Sequence, residues 1–442
     1  AVVALLASAL PARAAAPTVT SLFPPGVPRG TTTEVTAEGT FDPWPAQVWC
    51  NRPGVTVVAG EKKGQLSVTV ADDVPPGVAL IRLHNADGAS TLEPLIVGHL
   101  PEVLEKEPND AVDQAQAADA QGTTVNGRFD KAGDVDVYAV QLAAGQTLVA
   151  SLESNFALGK AADATLQVLS ERGFVLAHND DARGLDPLIT FTAPDEGKYL
   201  VRTFCFPATP NTTIRYAGGA DLVYRLTITA AGYVDHALPL AVSAQQATPV
   251  ELRGWNLAAV EPTTVAASKS NDNDNAGESA KTPDEDDETV VLFQPGLAGT
   301  VTVPRVPHAV QVEQEPNDGA DDAQEVSWPI TRSGVIGTAG DRDWYRFQAA
   351  KGDNLLLDVH SWKLGYELDA HLSLFDAEGI LLKEIDDTVR NEREAELVFR
   401  FPADGEYLLQ VRDLYHHGGF RYPYRLNIVP ASPDFSLTVA AD

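Results

Sequence analysis

The sequence contains no methionine, two cysteines and few basic residues, and each shortage excludes a class of protein. Cys50 and Cys205 lie far apart and in different predicted domains, which excludes a disulfide framework and a cysteine-type zinc site, so we expect two buried free thiols. Lys and Arg number 32 against 62 Asp and Glu, a net charge of −30. Such a surface repels phosphate backbones and anionic membranes, so it excludes nucleic-acid binding and favours divalent cations.

Apolar runs are also short, because none reaches the roughly 20 residues that span a membrane. The apolar stretch 1–10 is interrupted by Pro11 and Arg13 and followed by alanines. This pattern is typical of the end of a signal peptide, so we interpret residues 1–16 as a signal-peptide remnant. With no initiator methionine, the sequence is expected to begin inside the translated product. The mature protein is expected to be secreted or held in the cell envelope, with no membrane insertion.

What the sequence does contain is glycine, proline and alternating apolar residues. The 34 Gly and 30 Pro indicate many turns and short strands. Tyr224, Leu226 and Ile228 alternate with polar residues, which predicts a strand with one buried and one wet face. A length of 442 residues is typical of about three to four domains. We therefore predict an all-β protein of tandem β-sandwiches.

An internal repeat organises the chain. The segment E-K-E-P-N-D at 105–110 returns as E-Q-E-P-N-D at 313–318, and G-D-V-D at 133–136 returns as G-D-R-D at 340–343. The motifs G-K-Y-L and Y-R-L also recur at nearly the same offset. The predicted domains are a smaller β domain at 17–100, the first repeat at 101–233, a second smaller β domain at 234–309 with a disordered acidic insertion at about 267–289, the second repeat at 310–430, and a linker or the start of a truncated further β domain at 431–442.

Oxygen-bearing side chains cluster in both repeats. Glutamate, asparagine and aspartate within six residues, with aspartates on a following hairpin, form an all-oxygen set that suits Ca²⁺ and not Zn²⁺. The alternative is an acidic linker and a polar hairpin that never meet. The predicted ligands are Glu105, Glu107, Asn109, Asp110, Asp134 and Asp136, and in the second repeat Glu313, Glu315, Asn317, Asp318, Asp341 and Asp343.

These motifs resemble the bacterial pre-peptidase C-terminal domain. The resemblance covers roughly residues 101–233 and 310–430 and implies secreted, jelly-roll-like sandwiches attached to proteases and other exported proteins, related to clostridial collagen-binding domains. It also implies that the E-x-E-P-N-D segment and the later hairpin aspartates bind calcium. The smaller domains are similar to Ig-like modules that precede such domains in large planctomycete-type secreted proteins.

No catalytic motif accompanies these clusters: the sequence has no G-x-S-x-G and no H-E-x-x-H. The paired aspartates Asp180-Asp181 and Asp386-Asp387 are interpreted as turn residues rather than as a second metal site. The segment 415–424, rich in His and aromatic residues, is interpreted as a hairpin loop, with a ligand-binding tip as the alternative.

The sequence thus predicts a secreted, non-catalytic protein that is stabilised by calcium and binds an extracellular matrix, polysaccharide or protein partner. One alternative is that the chain is the non-catalytic accessory region of an exported hydrolase whose catalytic domain follows Asp442, with a protease as the expected class. Another is a structural spacer of the cell envelope. A paired-carboxylate glycosidase stays conceivable, although no aromatic-rich run accompanies the acidic segments.

Overall fold

The computed structural model describes residues 15–209, 215–257, 261–268, 289–387 and 393–432, and its regular structure is almost entirely β-strand. Over these residues the helical elements are two short 3-10 turns, Ala320–Asp322 and Trp362–Leu364. Neither has the length or apolar character that a membrane crossing requires. The prediction of an all-β chain of tandem β-sandwiches is confirmed.

The chain divides into two compact units. The first contains residues up to Ala231 together with Pro295–Ala298, and the second contains Gly232–Gln294 and the residues from Gly299 onward. Each unit combines a smaller β domain with a larger sandwich. Residues 1–14 of the predicted signal-peptide remnant, most of the acidic insertion and the C-terminal stretch from 433 lie outside the described residues.

In the first unit the smaller domain has two sheets, of orders β1-β3-β6-β5 and β2-β9-β7-β4. Leu66, Val68 and Val70 on β6 are buried while the residues between them are more exposed, which is the alternation of a strand with one buried face. Both cysteines are free, and Cys50 is only partly buried because it ends the edge strand β4. The strands are β1 (Thr18–Phe23), β2 (Gly26–Pro28), β3 (Thr32–Thr40), β4 (Gln47–Cys50), β5 (Val55–Ala59), β6 (Gln65–Val70), β7 (Gly77–Asn85), β8 (Gly88–Ala89) and β9 (Glu93–Gly98).

The larger sandwich of this unit has two five-stranded sheets, of orders β10-β12-β19-β14-β17 and β11-β13-β18-β15-β16. Each sheet has at one edge a very short strand that pairs parallel with its neighbour. Tyr199, in the predicted strand, donates from its hydroxyl to the Asp195 carbonyl and fixes the turn before β18. The strands are β10 (Glu102–Leu104), β11 (Gln116–Ala117), β12 (Thr123–Arg128), β13 (Asp136–Leu142), β14 (Thr147–Glu153), β15 (Ala162–Ser170), β16 (Val175–Asn179), β17 (Leu188–Thr192), β18 (Gly197–Pro207) and β19 (Val223–Thr229).

The expected wet face of β19 is largely buried, so that part of the prediction was wrong. Arg225 is 6% exposed and Thr229 1% exposed. The cause is the smaller domain, which packs against this face: a Cβ at Gly26 would lie 2.2 Å from Arg225 Nε. Arg225 is compensated there by ion pairs with Glu102 at 2.5 Å and Glu153 at 2.8 Å.

In the second unit the smaller domain has two three-stranded sheets, β20-β22-β23 and β21-β25-β24. The β domain predicted here is observed, with Thr248–Trp255 and Thr289–Leu292 among its strands. The acidic residues 269–288 between β23 and β24 are outside the described part. The strands are β20 (Tyr233–Leu238), β21 (Val242–Ser243), β22 (Thr248–Trp255), β23 (Thr263–Val265), β24 (Thr289–Leu292) and β25 (Val301–Val306).

The second sandwich repeats the strand order of the first, with sheets β26-β28-β35-β30-β33 and β27-β29-β34-β31-β32. Tyr407 donates to the Ala403 carbonyl, as Tyr199 does to Asp195. Residues 414–422 connect β34 to β35, which lie in different sheets, so this His-rich segment is a loop between the two sheets and the predicted hairpin was wrong; Tyr415 on it is 65% exposed. The strands are β26 (Ala309–Val312), β27 (Gln324–Glu325), β28 (Ile330–Val335), β29 (Arg342–Ala349), β30 (Asn354–His360), β31 (Ala370–Asp376), β32 (Leu381–Ile385), β33 (Ala395–Arg400), β34 (Gly405–Asp413) and β35 (Pro423–Pro430).

Candidate metal centre

The topology of the sandwich brings two acidic segments together. The loop after β10 crosses from one sheet to the other, and so does the turn between β12 and β13. Because β10 pairs with β12 and β11 pairs with β13, the two crossings run side by side. Backbone hydrogen bonds fix them: Glu105 N donates to Asn126 O at 3.0 Å, and Val137 N donates to Asn109 O at 3.0 Å.

In the first sandwich the predicted carboxylates form two overlapping groups. Oxygens of Glu105, Glu107 and Asp136 lie within 4.8 Å of one another, and so do oxygens of Glu107, Asp110 and Asp134. Asp134 and Asp136 are fully buried, whereas Glu107 and Asp110 are exposed. The structure therefore brings the two acidic segments together, against the alternative that they never meet, but the second segment is a turn between the two sheets and not the predicted hairpin.

Asn109 joins the first group and is fully buried. One atom of its amide lies 3.2 Å from Glu107 Oε2 and 3.0 Å from Asp136 Oδ1. If this atom is the amide nitrogen, it donates to both carboxylates. If it is the amide oxygen, three oxygens surround one point, and a cation bound there would be coordinated by all three. Asn109 is thus placed to be a ligand or to orient the two carboxylates.

Backbone amides hold several of these carboxylates in place. Arg128 N donates to Glu105 Oε2 at 2.7 Å, Asn109 N to Glu107 Oε2 at 3.0 Å, and Asp130 N to Asp134 Oδ2 at 2.5 Å. Each such bond occupies one oxygen of a carboxylate and leaves the other available. The arrangement orients the ligand atoms before any ion is present.

A tyrosine pair underlies the cluster. Tyr224 OH donates to Asp136 Oδ2 at 2.8 Å, and the Tyr138 and Tyr224 hydroxyls lie 2.5 Å apart. Both tyrosines are fully buried in the sandwich core. Tyr224 was predicted as a strand residue and not as part of the site, although the recurrence of Y-R-L in both repeats was a signal that could have found it.

Electrostatics at the site favour a compensating positive charge. Burial raises the pKa of Asp136, and the neighbouring Glu105 carboxyl raises it further. Burial also raises the pKa of Glu105 and of Glu107. Clustered buried carboxylates cannot all be ionised at neutral pH unless a cation compensates them. The raised pKa values are those expected of carboxylates that either bind a cation or share protons among themselves.

The second sandwich has the corresponding group, in which oxygens of Glu313, Glu315 and Asp343 lie within 4.8 Å of one another. The pKa of Asp343 is raised by burial and then by Glu313. Asp318 and Asp341 do not join that group, but they approach each other closely enough to raise the pKa of Asp318.

The tyrosine pair recurs beneath this second group. Tyr424 OH donates to Asp343 Oδ2 at 2.5 Å and lies 2.5 Å from Tyr345 OH. Asn317 holds the loop as Asn109 does, because its carbonyl accepts from Trp344 N at 2.9 Å. The same hydroxyl-to-carboxylate arrangement therefore supports both clusters.

The paired aspartates were not predicted to bind a metal, and within the described residues they do not join a group of three close ligands. The pKa of Asp163 is raised by burial and then by Asp181 and Asp180. Asp369 lies beside Arg393, with Nε and Oδ2 3.7 Å apart. These aspartates remain a weaker candidate than the loop and turn clusters.

Comparison with known proteins supports the predicted resemblance. Residues 134–203 match the family model of the bacterial pre-peptidase C-terminal domain, so the resemblance is confirmed for this segment, which includes Asp134 and Asp136. A stretch of 156 residues, 34% of the chain, is 31% identical to a probable subtilase-type serine protease of Deinococcus radiodurans. The chain spans only 20% of the length of that relative. The family assignment of the second sandwich stays a prediction.

Two solved structures are similar to part of this chain. The pre-peptidase C-terminal domain of a collagenase from Bacillus anthracis is 18% identical, covers 28% of this chain and 99% of its own, and has a TM-score of 0.20. PliG of Salmonella Typhimurium, a periplasmic inhibitor of g-type lysozyme, is 25% identical, covers 24% of this chain and 96% of its own, and has a TM-score of 0.18.

Proposed function

We propose that this chain is an exported, non-catalytic protein that binds calcium at the two loop and turn clusters and attaches to an extracellular protein or polysaccharide. The observation that carries the proposal is the convergence of Glu105, Glu107 and Asp136 on one point, with the equivalent convergence in the second sandwich. The match of residues 134–203 to the bacterial pre-peptidase C-terminal domain supports it.

Calcium is the cation that the donor set fits. All ligand candidates are carboxylate or amide oxygens, and calcium takes 6 to 8 oxygen ligands in a flexible geometry. Buried polar atoms are normally paired, but Asp343 Oδ1 and both side-chain amide atoms of Asn317 have no hydrogen-bond partner, although both residues are fully buried. A bound cation in the cluster would compensate the carboxylates and give such oxygens a partner.

Calcium at this position would stiffen the entrance to each sandwich. Glu105 and Glu107 lie on the loop after β10, whereas Asp134 and Asp136 lie on and beside β13. An ion that binds both segments ties the two sheet crossings together. We infer a structural role for the ion, in which a calcium-rich exterior favours the folded, protease-resistant form of the protein.

The alternative function is the accessory region of an exported protease. The similarity to the Deinococcus protease favours it, because the chain matches only a fifth of that longer protein. In this case the attachment of this chain to an extracellular protein or polysaccharide would hold a catalytic domain of the same polypeptide close to its substrate. The reading frame beyond Asp442 distinguishes the two functions, and incubation with casein, gelatin and polysaccharides in Ca²⁺ tests whether the chain itself turns over a substrate.

Thermal unfolding of the full chain tests calcium binding. An ion that binds only the folded form stabilises each sandwich by about 2.7 kcal/mol at a concentration 100-fold above its Kd, so unfolding in millimolar Ca²⁺ should occur several degrees above unfolding in EDTA. Glu107→Gln should remove the gain from the first unit, and Glu315→Gln from the second. Glu61→Gln, at an exposed position outside both clusters, is the matched control.

The outcome against the proposal is simple to recognise. If the wild-type curves in EDTA and in Ca²⁺ coincide, neither cluster binds calcium under these conditions. If the curves differ but Glu107→Gln and Glu315→Gln leave the difference unchanged, calcium binds elsewhere in the chain.

A further inference from the structure

A lysine lies within the first cluster. Lys131 Nζ is 3.4 Å from Asp134 Oδ1 and 4.0 Å from Asp110 Oδ2. These two aspartates form, with Glu107, the outer of the two overlapping carboxylate groups. The ammonium group therefore stands next to the outer carboxylates and away from the inner pair of Glu105 and Asp136.

Among the described residues, the second cluster has no lysine at the equivalent position. The turn before β13 and the turn before β29 share a backbone hydrogen bond, since Asp134 N donates to Lys131 O at 3.0 Å and Asp341 N donates to Thr338 O at 3.2 Å. Thr338 thus takes the place of Lys131. Among the described residues, no lysine or arginine forms an ion pair with Asp318 or Asp341, whose carboxylates contact each other.

Each cluster contains buried polar atoms that accept or donate no hydrogen bond, but their surroundings differ. In the first sandwich Asp134 is fully buried, and its Oδ1, which accepts no hydrogen bond, faces the Lys131 ammonium group. In the second sandwich Asp343 Oδ1 and the side-chain amide of Asn317, at the positions of Asp136 and Asn109, are fully buried and have no hydrogen-bond partner. An ammonium group thus lies beside the unpaired oxygen of the first cluster, whereas among the described residues no lysine or arginine forms an ion pair with Asp343.

We propose that Lys131 places its ammonium group in the outer cation position of the first cluster and thereby makes this cluster the weaker calcium site of the two. The inference rests on the proposed calcium binding and adds that the Lys131 ammonium group competes with calcium for the first cluster. In the second cluster Thr338 takes this place in the turn, and among the described residues no lysine there competes with a divalent ion.

The physical reason is the repulsion between an ammonium group and an incoming divalent ion. A unit charge about 4 Å from a divalent ion in water weakens binding by roughly tenfold at moderate salt. The Lys131 side chain is 66% exposed, so it can swing away. The ammonium group therefore competes with calcium and does not block the site. The difference in calcium affinity between the two clusters should shrink as the salt concentration rises, because salt screens the repulsion.

Isothermal titration of the full chain with CaCl₂ tests the proposal, with one cluster silenced at a time. In the Glu315→Gln background, which reports on the first cluster, Lys131→Thr should tighten calcium binding roughly tenfold. Lys131→Arg keeps the charge and should not tighten it. Lys62→Thr removes a charge in the smaller domain and is the control for net charge.

The reverse exchange completes the design. In the Glu107→Gln background, which reports on the second cluster, Thr338→Lys should weaken calcium binding by a similar factor. If Lys131→Thr and Lys131→Arg change the Kd equally, or if Lys131→Thr changes nothing while calcium still binds, the inference is overturned and the proposed function stands. If no protein in the series binds calcium, the proposed function itself fails.

Discussion

The two sandwiches share their strand order and the geometry of their acidic clusters, but they differ where each meets the smaller domain before it. In the first unit Lys160 and Glu93 form a buried ion pair, and Lys160 also donates to the carbonyl of Thr20 at 3.0 Å. In the second unit Arg421 pairs with the fully buried Asp235 at 3.2 Å. In each unit a buried ion pair joins the sandwich to its smaller domain, but the paired residues come from different strands and loops. The sandwich core and the acidic cluster are therefore repeated in the second unit, whereas the contact between the two domains is not.

Arginines at equivalent positions show this difference in one side chain. Arg225 has two carboxylate partners and is 6% exposed, whereas Arg425 is partly exposed and forms no ion pair among the described residues; Nε of both arginines lacks a hydrogen bond. Burial lowers the pKa of Arg425, while Glu102 and Glu153 outweigh the effect of burial at Arg225 and raise its pKa. The same residue is therefore a buried ion-pair centre in one unit and a weakly compensated cation in the other.

The largest expected effect comes from removing these two arginines. Arg225→Met leaves Glu102 and Glu153 without their cation, and Glu102 is almost fully buried, so the first unit should lose about 3–5 kcal/mol of unfolding free energy. Arg425→Met removes a desolvated cation with no ion pair and should change the second unit by less than about 1 kcal/mol. Chemical denaturation of the two variants measures both values, and equal losses would show that the equivalent positions do the same work.

The second effect in size concerns a carboxylate that organises a loop in each sandwich. Asp186 accepts from the amides of Ser154, Asn155 and Phe156, and Glu394 accepts from those of Ser361 and Lys363. Burial raises the pKa of Asp186 to about 6, with Glu153 adding to the shift. Burial raises the pKa of Glu394 as well.

The sign of the pH dependence follows from that shift. The folded state holds the Asp186 proton more tightly than the unfolded state, so the contribution to stability is complete below pH about 4 and is lost as the pH rises through about 6. The loss is about 2–3 kcal/mol. Asp186→Asn lacks the titrating group and should therefore be less harmful at pH 7 than at pH 4, when unfolding of the calcium-saturated protein is followed from pH 4 to 7.5. A constant difference between the two proteins over this range would contradict the assignment, and Glu394→Gln should show a dependence of the same sign.

The repeat predicted the part of the molecule that recurs. The E-x-E-P-N-D and G-D-x-D motifs indicated that a loop and a hairpin carry related ligands, and the structure places Glu105, Glu107 and Asp136 together. Alternation of Tyr224, Leu226 and Ile228 predicted β19, because the face on which a strand residue lies follows from the two-residue period of the sequence. Both successes rest on short-range sequence patterns.

What the sequence did not reveal depends on contacts between distant segments. The burial of Arg225 comes from Gly26 and Gly98 of the smaller domain, whose backbone lies against the guanidinium group. The proximity of Lys131 to Asp110 requires the loop to fold over the turn. Neither contact has a local pattern, and the wet face expected for β19 was wrong for the same reason.

The smallest expected effect tests whether the two clusters share their support. Tyr224 OH donates to Asp136 and can accept from Tyr138, so Tyr224→Phe removes the donor next to the carboxylate, while Tyr138→Phe removes only the outer link. We expect a loss of about 1.5 kcal/mol for the first change and about 0.5 kcal/mol for the second, measured by chemical denaturation in EDTA.

Tyr424→Phe and Tyr345→Phe should reproduce these two values in the second unit, because Tyr424 OH donates to Asp343 and lies beside Tyr345 OH in the same way. Since all four tyrosines are fully buried, phenylalanine fills the same space and the measured difference reports on the hydroxyl alone. Unequal values for Tyr224 and Tyr424 would mean that the clusters, like the domain junctions, have diverged beneath a shared topology.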